Sequence, residues 1–459
     1  MNREASNSSR LSQRFTFYLL AIGSACGLGN LWRFPYIVGE NGGGAFLLLY
    51  IFLCFTVGLS ILTAELIIGR AARASLHKIT VRLTGQTQKP FYWVGRLSLL
   101  ISLVILAYYS VVSGWVLYYL TQFGVSFFRQ DTNNYLSSLN MSFLNENGIL
   151  QFMLASVHLL ICAIILLYGK TRKFEKILSY FLIIFGLLIS VLIYTSVSID
   201  TTTNVLRFLF YPDFTKLNLT SLGHALGHVF FTLSLGMGVL VTLGSYFKDE
   251  EHIPTIAFRV TAIDTTISIF AVLIIFPVAF SLSDKPMTDP GLLFESLPRL
   301  FMKIYYGEYF GFVFFICLWM AAINASVGLL ETLISNTSEK FRQTNRAWSA
   351  WLVVVVTLLI TILPAFSGTY LKQFKLFGQS VIENIDSLLI NYLLPIAVLG
   401  FILVYFLFHK HSERQESFVS VDSPASVSLY RNWIWILKYF TPAIIILALI
   451  LQALAIKPV

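Results

Sequence analysis

The sequence predicts an all-α integral membrane protein of about eleven transmembrane helices, folded as a single membrane domain over residues 1–459. Composition is the first reason: 56% of the 459 residues are hydrophobic and 12% charged, with a mean hydropathy of +0.75, outside the range of a water-exposed fold. The second is repetition. Apolar runs long enough to cross a hydrocarbon layer about 30 Å thick, roughly 20 residues each, recur with short polar breaks, and the ten-residue alternation of a membrane barrel is absent. The third is the start of the chain, where fourteen polar residues precede a long apolar run without a small-residue cleavage site, so no signal peptide is expected.

In chain order the expected spans lie near 15–38, 44–69, 91–125, 150–168, 174–198, 222–246, 256–282, 308–337, 347–364, 380–408 and 433–455. With the N-terminus inside, most of the 32 Lys and Arg fall on the cytoplasmic side, including Arg70, Arg73, Lys78 and Arg82 and the cluster Lys170, Arg172, Lys173 and Lys176. A multi-pass protein of the cell membrane with a cytoplasmic N-terminus and an outside C-terminus is therefore expected. The net charge of +9 reads as a topology signal and not as a nucleic-acid surface. Cys26, Cys54, Cys162 and Cys317 all sit in apolar runs without metal-ligand spacing. The polar, Ser-rich stretch 409–430 reads as a linker before the last span.

Two spans are interrupted. The first contains "SACGLGNLWRFPY", residues 24–36, with two glycines, Asn30 and Arg33 inside an apolar run; the sixth contains Gly236 and Gly238 flanking Met237. These spans open two successive sets of five, about 15–198 and 222–408, with an extra helix near 433–455, which is how two inverted five-helix repeats with unwound helices 1 and 6 would look. Unwinding a helix in mid-membrane frees carbonyls on one half and N–H groups on the other, and lipid satisfies neither. A cation can take the carbonyls and a carboxylate the N–H groups at the positive end of the next half-helix, while glycine permits the break. The alternative is that the glycines only allow close helix packing.

The residues themselves resemble a known family. "GSACGLGNLWRFPYIVGENGGGAFLLLY" is similar to the first-helix signature of the neurotransmitter:sodium symporters, the class on which the broken-helix rule was framed. "FFTLSLGMG" resembles its sixth helix, "LAYYSVVSGW" its third and "DPGLLFESLPRLF" its fourth outer loop; the nearest branch is that of the bacterial amino-acid transporters. The resemblance implies a bundle of spans one, two, six and seven rocking against a scaffold, with one or two sodium ions and an amino acid at the centre.

Carried over residue by residue, the resemblance implies a first sodium site from Ala25, Asn30, Thr232 and Asp264. An unpartnered ionised Asp264 at the bilayer centre would cost ~3 kcal/mol or more. The substrate carboxylate would meet the Gly29 N–H and the Tyr109 hydroxyl, its amine the carbonyls near Ser24, Ala25, Phe231 and Thr232. The side chain would face Leu28, Ile105, Ser234, Met237, Ser326 and Leu329, a set without charge that suits a hydrophobic or aromatic amino acid. Arg33 and Asp386 match the outer gate, with Phe231 and Tyr109 as the lid, and Glu339 with Tyr246 the inner gate. The usual Trp near the N-terminus is replaced by Leu11, leaving Arg10 as the basic partner.

Three departures bear on coupling. The second sodium site would comprise Gly23, Cys26, Ala321 and Asn324, but relatives carry adjacent Thr and Ser where Asn324 and Ala325 stand, so a ligand is lost. Tyr180 stands where relatives often carry a helix-breaking Pro in span five. Ser268, one helical turn from Asp264, stands where chloride-independent relatives have Glu; with Tyr50 and His228 it marks a chloride or proton site. Sodium-coupled uptake is the leading expectation. A proton- or otherwise-coupled carrier on the same fold and a non-transporting amino-acid receptor remain alternatives; no nucleophile triad, metal-hydrolysis motif or phosphate loop points to an enzyme. The partners implied are the amino acid and the lipid bilayer, with no nucleic acid and no indication of oligomeric state.

Overall fold

The computed structural model describes residues 27–74, 76–79, 92–129, 135–136, 139, 141–168, 171–197, 202–248, 251–282, 292–302, 305–340, 345–375, 379–408, 415, 418 and 424–455. Among these residues the secondary structure is helical, without a β-strand. Eight helices are long and apolar enough to cross a membrane, among them Gly44–Ala72, Tyr92–Ser126, Gly148–Tyr168, Gly307–Glu339 and Arg346–Ala365. Their limits follow the expected spans closely, because polar clusters and Gly or Pro bracket each apolar run. Span five is one continuous helix, Thr171–Val197, that runs through Tyr180.

The last helix begins at Pro424, inside the stretch expected to be a linker. Pro suits a first helical turn, where its missing N–H costs nothing, and the following Ala, Ser, Val and Leu continue the helix. Trp433 then donates its indole N–H to the Ser60 carbonyl of span two at 3.2 Å. Helices Thr202–Phe210 and Leu292–Phe301, in segments expected to connect spans, are further elements that apolar run length alone could not reveal.

Span six is broken as its glycines suggest. Helix Ser221–Thr232 stops, residues 233–238 turn, and helix Val239–Gly244 resumes. Gly236 and Gly238 have φ of 76° and 75°, left-handed values that suit glycine, and Ser234 between the halves joins them at 56°. The freed backbone groups are taken by neighbouring spans. Glu65 of span two accepts the Gly236 N–H at 2.8 Å, and the Ser102 hydroxyl of span three donates to the Met237 carbonyl at 2.6 Å. Gly238 O accepts from both the N–H and the hydroxyl of Thr242. Below the break, spans two and six approach so closely that a Cβ on Gly69 would lie 2.2 Å from Val241 O, and one on Gly244 2.6 Å from Leu66 O.

Span one is described from Gly27, where the chain bends before the π-helical turn Gly29–Arg33 and the helix Phe34–Glu40. Spans one and seven pack together, seven packs on two, and each half of six packs on two. Span three packs against four, eight and nine, and these three also contact one another; span five bridges seven and eight. The two groups meet around the breaks in spans one and six.

Glu65 is fully buried and was not among the residues expected at the site, although an ionisable side chain in an apolar span is itself a signal. Replacing Glu65 by Ala leaves the Gly236 N–H buried without an acceptor and is expected to cost about 1–3 kcal/mol. Glu65→Gln keeps an acceptor oxygen and should retain most of that stability. Thermal unfolding in detergent separates the two variants; equal losses would show that the carboxylate serves something other than this N–H.

Candidate functional site

The breaks in spans one and six and the middle of span seven bring three oxygen-bearing side chains together. Asp264 Oδ1 accepts from Asn30 Nδ2 at 2.7 Å and from the Thr232 hydroxyl at 2.6 Å, and the Thr232 hydroxyl also contacts Asn30 Oδ1. Oδ2 accepts from Tyr50 at 3.3 Å. Asp264 is fully buried and makes no ion pair among the described residues. A buried carboxylate without a basic neighbour is balanced by a proton or a bound cation. The donors offered are carboxylate, amide and hydroxyl oxygens, hard ligands that fit sodium, and among the described residues no three His, Cys, Asp or Glu gather as at a transition-metal centre.

Beside this cluster lies a small cleft lined by Gly27, Gly29, Asn30, Ile105, Tyr109, Phe231, Thr232, Ser234, Met237, Ala325 and Leu329. The Tyr109 hydroxyl accepts the Leu28 N–H at 3.1 Å, so its own proton is left to donate elsewhere. Gly29 has to lack a side chain, since a Cβ there would lie 2.8 Å from the Phe231 ring. Of the residues expected to face a substrate side chain, Ile105, Ser234, Met237 and Leu329 do line the cleft. Leu28 is buried behind it, and Ser326 turns towards span four, where its hydroxyl meets His158 Nε2 at 2.9 Å. Ala325 lines the cleft instead. It lies one helical turn before Leu329, so the i, i+4 spacing held the signal. Ser24 and Ala25 lie outside the described residues.

Above the cleft, Arg33 grips Asp386 through Nη2 at 3.0 Å and Nε at 3.2 Å, a charge-assisted forked contact between spans one and ten. The same guanidinium sits 5.9 Å from the centre of the Phe231 ring, which closes the cleft from that side. Beyond the ion pair opens a vestibule of about 770 Å³, lined by residues that include Trp32, Tyr36, Glu40, Trp115 and Glu383. At the opposite end of the bundle, Tyr246 and Glu339 are not brought together. The Tyr246 hydroxyl reaches Glu331 at 3.4 Å, and Glu331 pairs with Arg346, while Glu339 pairs with Lys78. Leu11 and Arg10 lie outside the described residues.

Tyr50 and Ser268 meet at 3.1 Å, and Ser268 donates to the Asp264 carbonyl at 3.1 Å. His228 stacks on Phe34 at 4.9 Å with Nδ1 3.5 Å from Arg33 Nη1, so it faces the gate arginine and makes no hydrogen bond to Ser268. Of the residues expected around a second cation, Ala321 and Asn324 lie on span eight. Asn324 is 1% exposed with neither amide atom partnered, Ala325 presents only a methyl group, and Ser326 is engaged by His158. Ala321 is a buried residue of the same helix, and Gly23 and Cys26 lie outside the described residues.

Comparison with known proteins agrees with this architecture. The family model described as the sodium:neurotransmitter symporter family matches residues 8–134 and 123–459. The uncharacterized sodium-dependent transporter YhdH of Bacillus subtilis is 27% identical over 438 residues, covering 95% of this chain and 96% of its own length. An uncharacterized sodium-dependent transporter of Haemophilus influenzae is 29% identical over 450 residues, covering 96% of this chain and 97% of its own. The crystal structure of MhsT in complex with L-phenylalanine superposes with a TM-score of 0.87 at 31% identity, covering 95% of this chain and 98% of that one. With its broken sixth helix, its buried Asn30–Thr232–Asp264 cluster and matches along nearly its whole length, the chain belongs to the sodium:neurotransmitter symporter family of membrane transporters.

Proposed function

We propose that this protein takes up a hydrophobic or aromatic amino acid by alternating access, driven by an inward sodium gradient. The observation that carries the reading is the adjacency of two environments in one cleft. Asp264, Asn30 and Thr232 form a hard-oxygen cluster, and the neighbouring cleft wall of Ile105, Met237, Ala325 and Leu329 carries no charge. An α-amino acid suits such a pair of environments, with its zwitterionic end near the helix breaks and its side chain against the apolar wall. The Tyr109 hydroxyl and the Gly29 N–H would hold the carboxylate, and the carbonyls around Ala25, Phe231 and Thr232 the amine. That MhsT was crystallised with L-phenylalanine supports an aromatic or large aliphatic ligand for this chain.

In this reading sodium is a co-substrate, and Asp264 supplies the charge that holds it. Arg33 and Asp386 close the outer side over Phe231, and Tyr246 with Glu331 and Arg346, beside the Lys78–Glu339 pair, closes the inner side. The Lys and Arg distribution supports a cytoplasmic N-terminus and an outside C-terminus. The two repeats would run over about 15–198 and 222–408, with the helix near 433–455 added outside them. Tyr50, Ser268 and His228 remain the place where chloride or a proton would act.

Uptake of labelled amino acids into liposomes under imposed sodium, proton and chloride gradients tests the function. Sodium-driven accumulation of leucine or phenylalanine is expected; binding without uptake would make the protein a receptor, and uptake driven by protons alone would replace the coupling ion. Asp264→Ala should weaken sodium-dependent substrate binding by about 2–5 kcal/mol, as loss of one member of a buried charged contact does. Unchanged binding in that variant would remove the cation assignment.

The misfit at Asn324 and Ala325 favours a single coupled sodium. An amide offers one oxygen and brings an NH₂ group that repels a cation, while Ala325 offers no side-chain donor. Reversal potentials are accordingly expected to return one sodium per zwitterionic substrate. A clear two-sodium value would exclude this stoichiometry.

A further inference from the structure

A buried polar contact between spans four and eight plays no part in the transport steps above. His158 is fully buried in the middle of Gly148–Tyr168 and presents Nε2 to Ser326 Oγ at 2.9 Å and to Cys162 Sγ at 3.7 Å. The Trp319 ring, on the same helix as Ser326, lies 6.4 Å from the imidazole. Around them the interface is otherwise apolar, with Ala155, Leu159, Ala322 and Ile323 all buried.

Ser326 directly follows Ala325, which lines the cleft, and precedes Leu329, which lines it one turn further on. Neighbouring helix residues point about 100° apart, so a bond that holds Ser326 towards span four also holds Ala325 and Leu329 towards the cleft. Apolar packing between membrane helices is weakly selective for rotation, whereas a hydrogen bond in a low-dielectric interface has a defined direction and a high cost of being left unmade. The contact is therefore suited to fixing where the span-eight wall of the cleft stands.

We infer that His158 is a positioning residue for substrate selectivity: by bonding Ser326 it sets the rotation and depth of span eight, and so the room the cleft offers to an amino-acid side chain. The inference rests on reading the cleft as an amino-acid side-chain site. Without the bond, the rotation of span eight is no longer fixed, the Ala325 and Leu329 wall turns away from the cleft, and large side chains gain relative to small ones.

The test is the ratio of apparent affinities for phenylalanine and valine, measured by competition for sodium-driven uptake in liposomes holding the full-length protein. His158→Leu fills the volume but removes the bond, and Ser326→Ala removes it from the other side with little change in packing. Both are expected to shift the ratio towards phenylalanine by about tenfold, the discrimination typical of a methylene-sized change in an apolar pocket. His158→Gln, which can still reach the Ser326 hydroxyl, should keep the wild-type ratio. A merely structural histidine would lower thermal stability or transport rate in these variants and leave the ratio alone. An unmoved ratio in Ser326→Ala, or an equal shift in His158→Gln, would overturn the inference. A wild-type protein that takes up neither amino acid would remove the reading of the cleft itself, and this inference with it.

Discussion

The constraint on which the rest of the structure depends is that no backbone polar group can be left open in the hydrocarbon layer. Breaking span six violates that rule locally, and the neighbouring spans repair it. Glu65 takes the Gly236 N–H and Ser102 takes the hold on the Met237 carbonyl, so spans two and three are tied to the same six-residue turn. Each repair comes from a different helix. The broken segment is thus the joint between the group containing spans one, two and seven and the group containing three, four, eight and nine. A substrate that bonds this joint touches both groups at once.

Charge follows the same logic. Asp264 sits fully buried beside the break with hydrogen-bond donors but no ion pair among the described residues, whereas Arg33 nearby is paired with Asp386. The two carboxylates therefore have different tasks. Asp386 neutralises a protein cation and joins spans one and ten; Asp264 has no such partner among the described residues, and in the proposed function it is the group that holds sodium. Phe231 connects the two tasks, because its ring approaches Gly29 on one side and the Arg33 guanidinium on the other. One aromatic side chain thus borders both the cleft and the Arg33–Asp386 ion pair.

Span lengths and the glycine-marked breaks were legible in the sequence, because they depend on run length and conformational freedom, whereas the meeting of Asn30, Thr232 and Asp264 was expected only from the family resemblance. Rotational phase was less legible. Span eight carries apolar residues on every side, so its hydrophobic pattern does not fix its rotation, and only the one-turn spacing to Leu329 pointed to Ala325 rather than Ser326 as the residue facing the cleft. Partner choice among exposed charges was also hidden, since Tyr246 finds Glu331 and Glu339 finds Lys78 by proximity across helices distant in sequence. Glu65 was overlooked for a different reason. Its partner is a backbone N–H, which exists only once Gly236 has left the helix.

The chemistry at Asn324 has a consequence for what the carrier can achieve. Each sodium that moves inward contributes about 2.3 kcal/mol per 100 mV of membrane potential and about 1.4 kcal/mol per tenfold concentration ratio. With one sodium instead of two, the free energy available for concentrating a neutral amino acid is halved, and the attainable accumulation falls to its square root. Lower driving force also means that each cycle uses less of the gradient. Asn324, buried with both amide atoms unpartnered, and Ala325, turned to the cleft, place that choice in two adjacent residues of one helix. The same helix turn holds Ser326 against His158, so the residues proposed to govern coupling and side-chain selection occupy three consecutive positions. A change at any of them would be felt by its neighbours through the shared rotation of span eight.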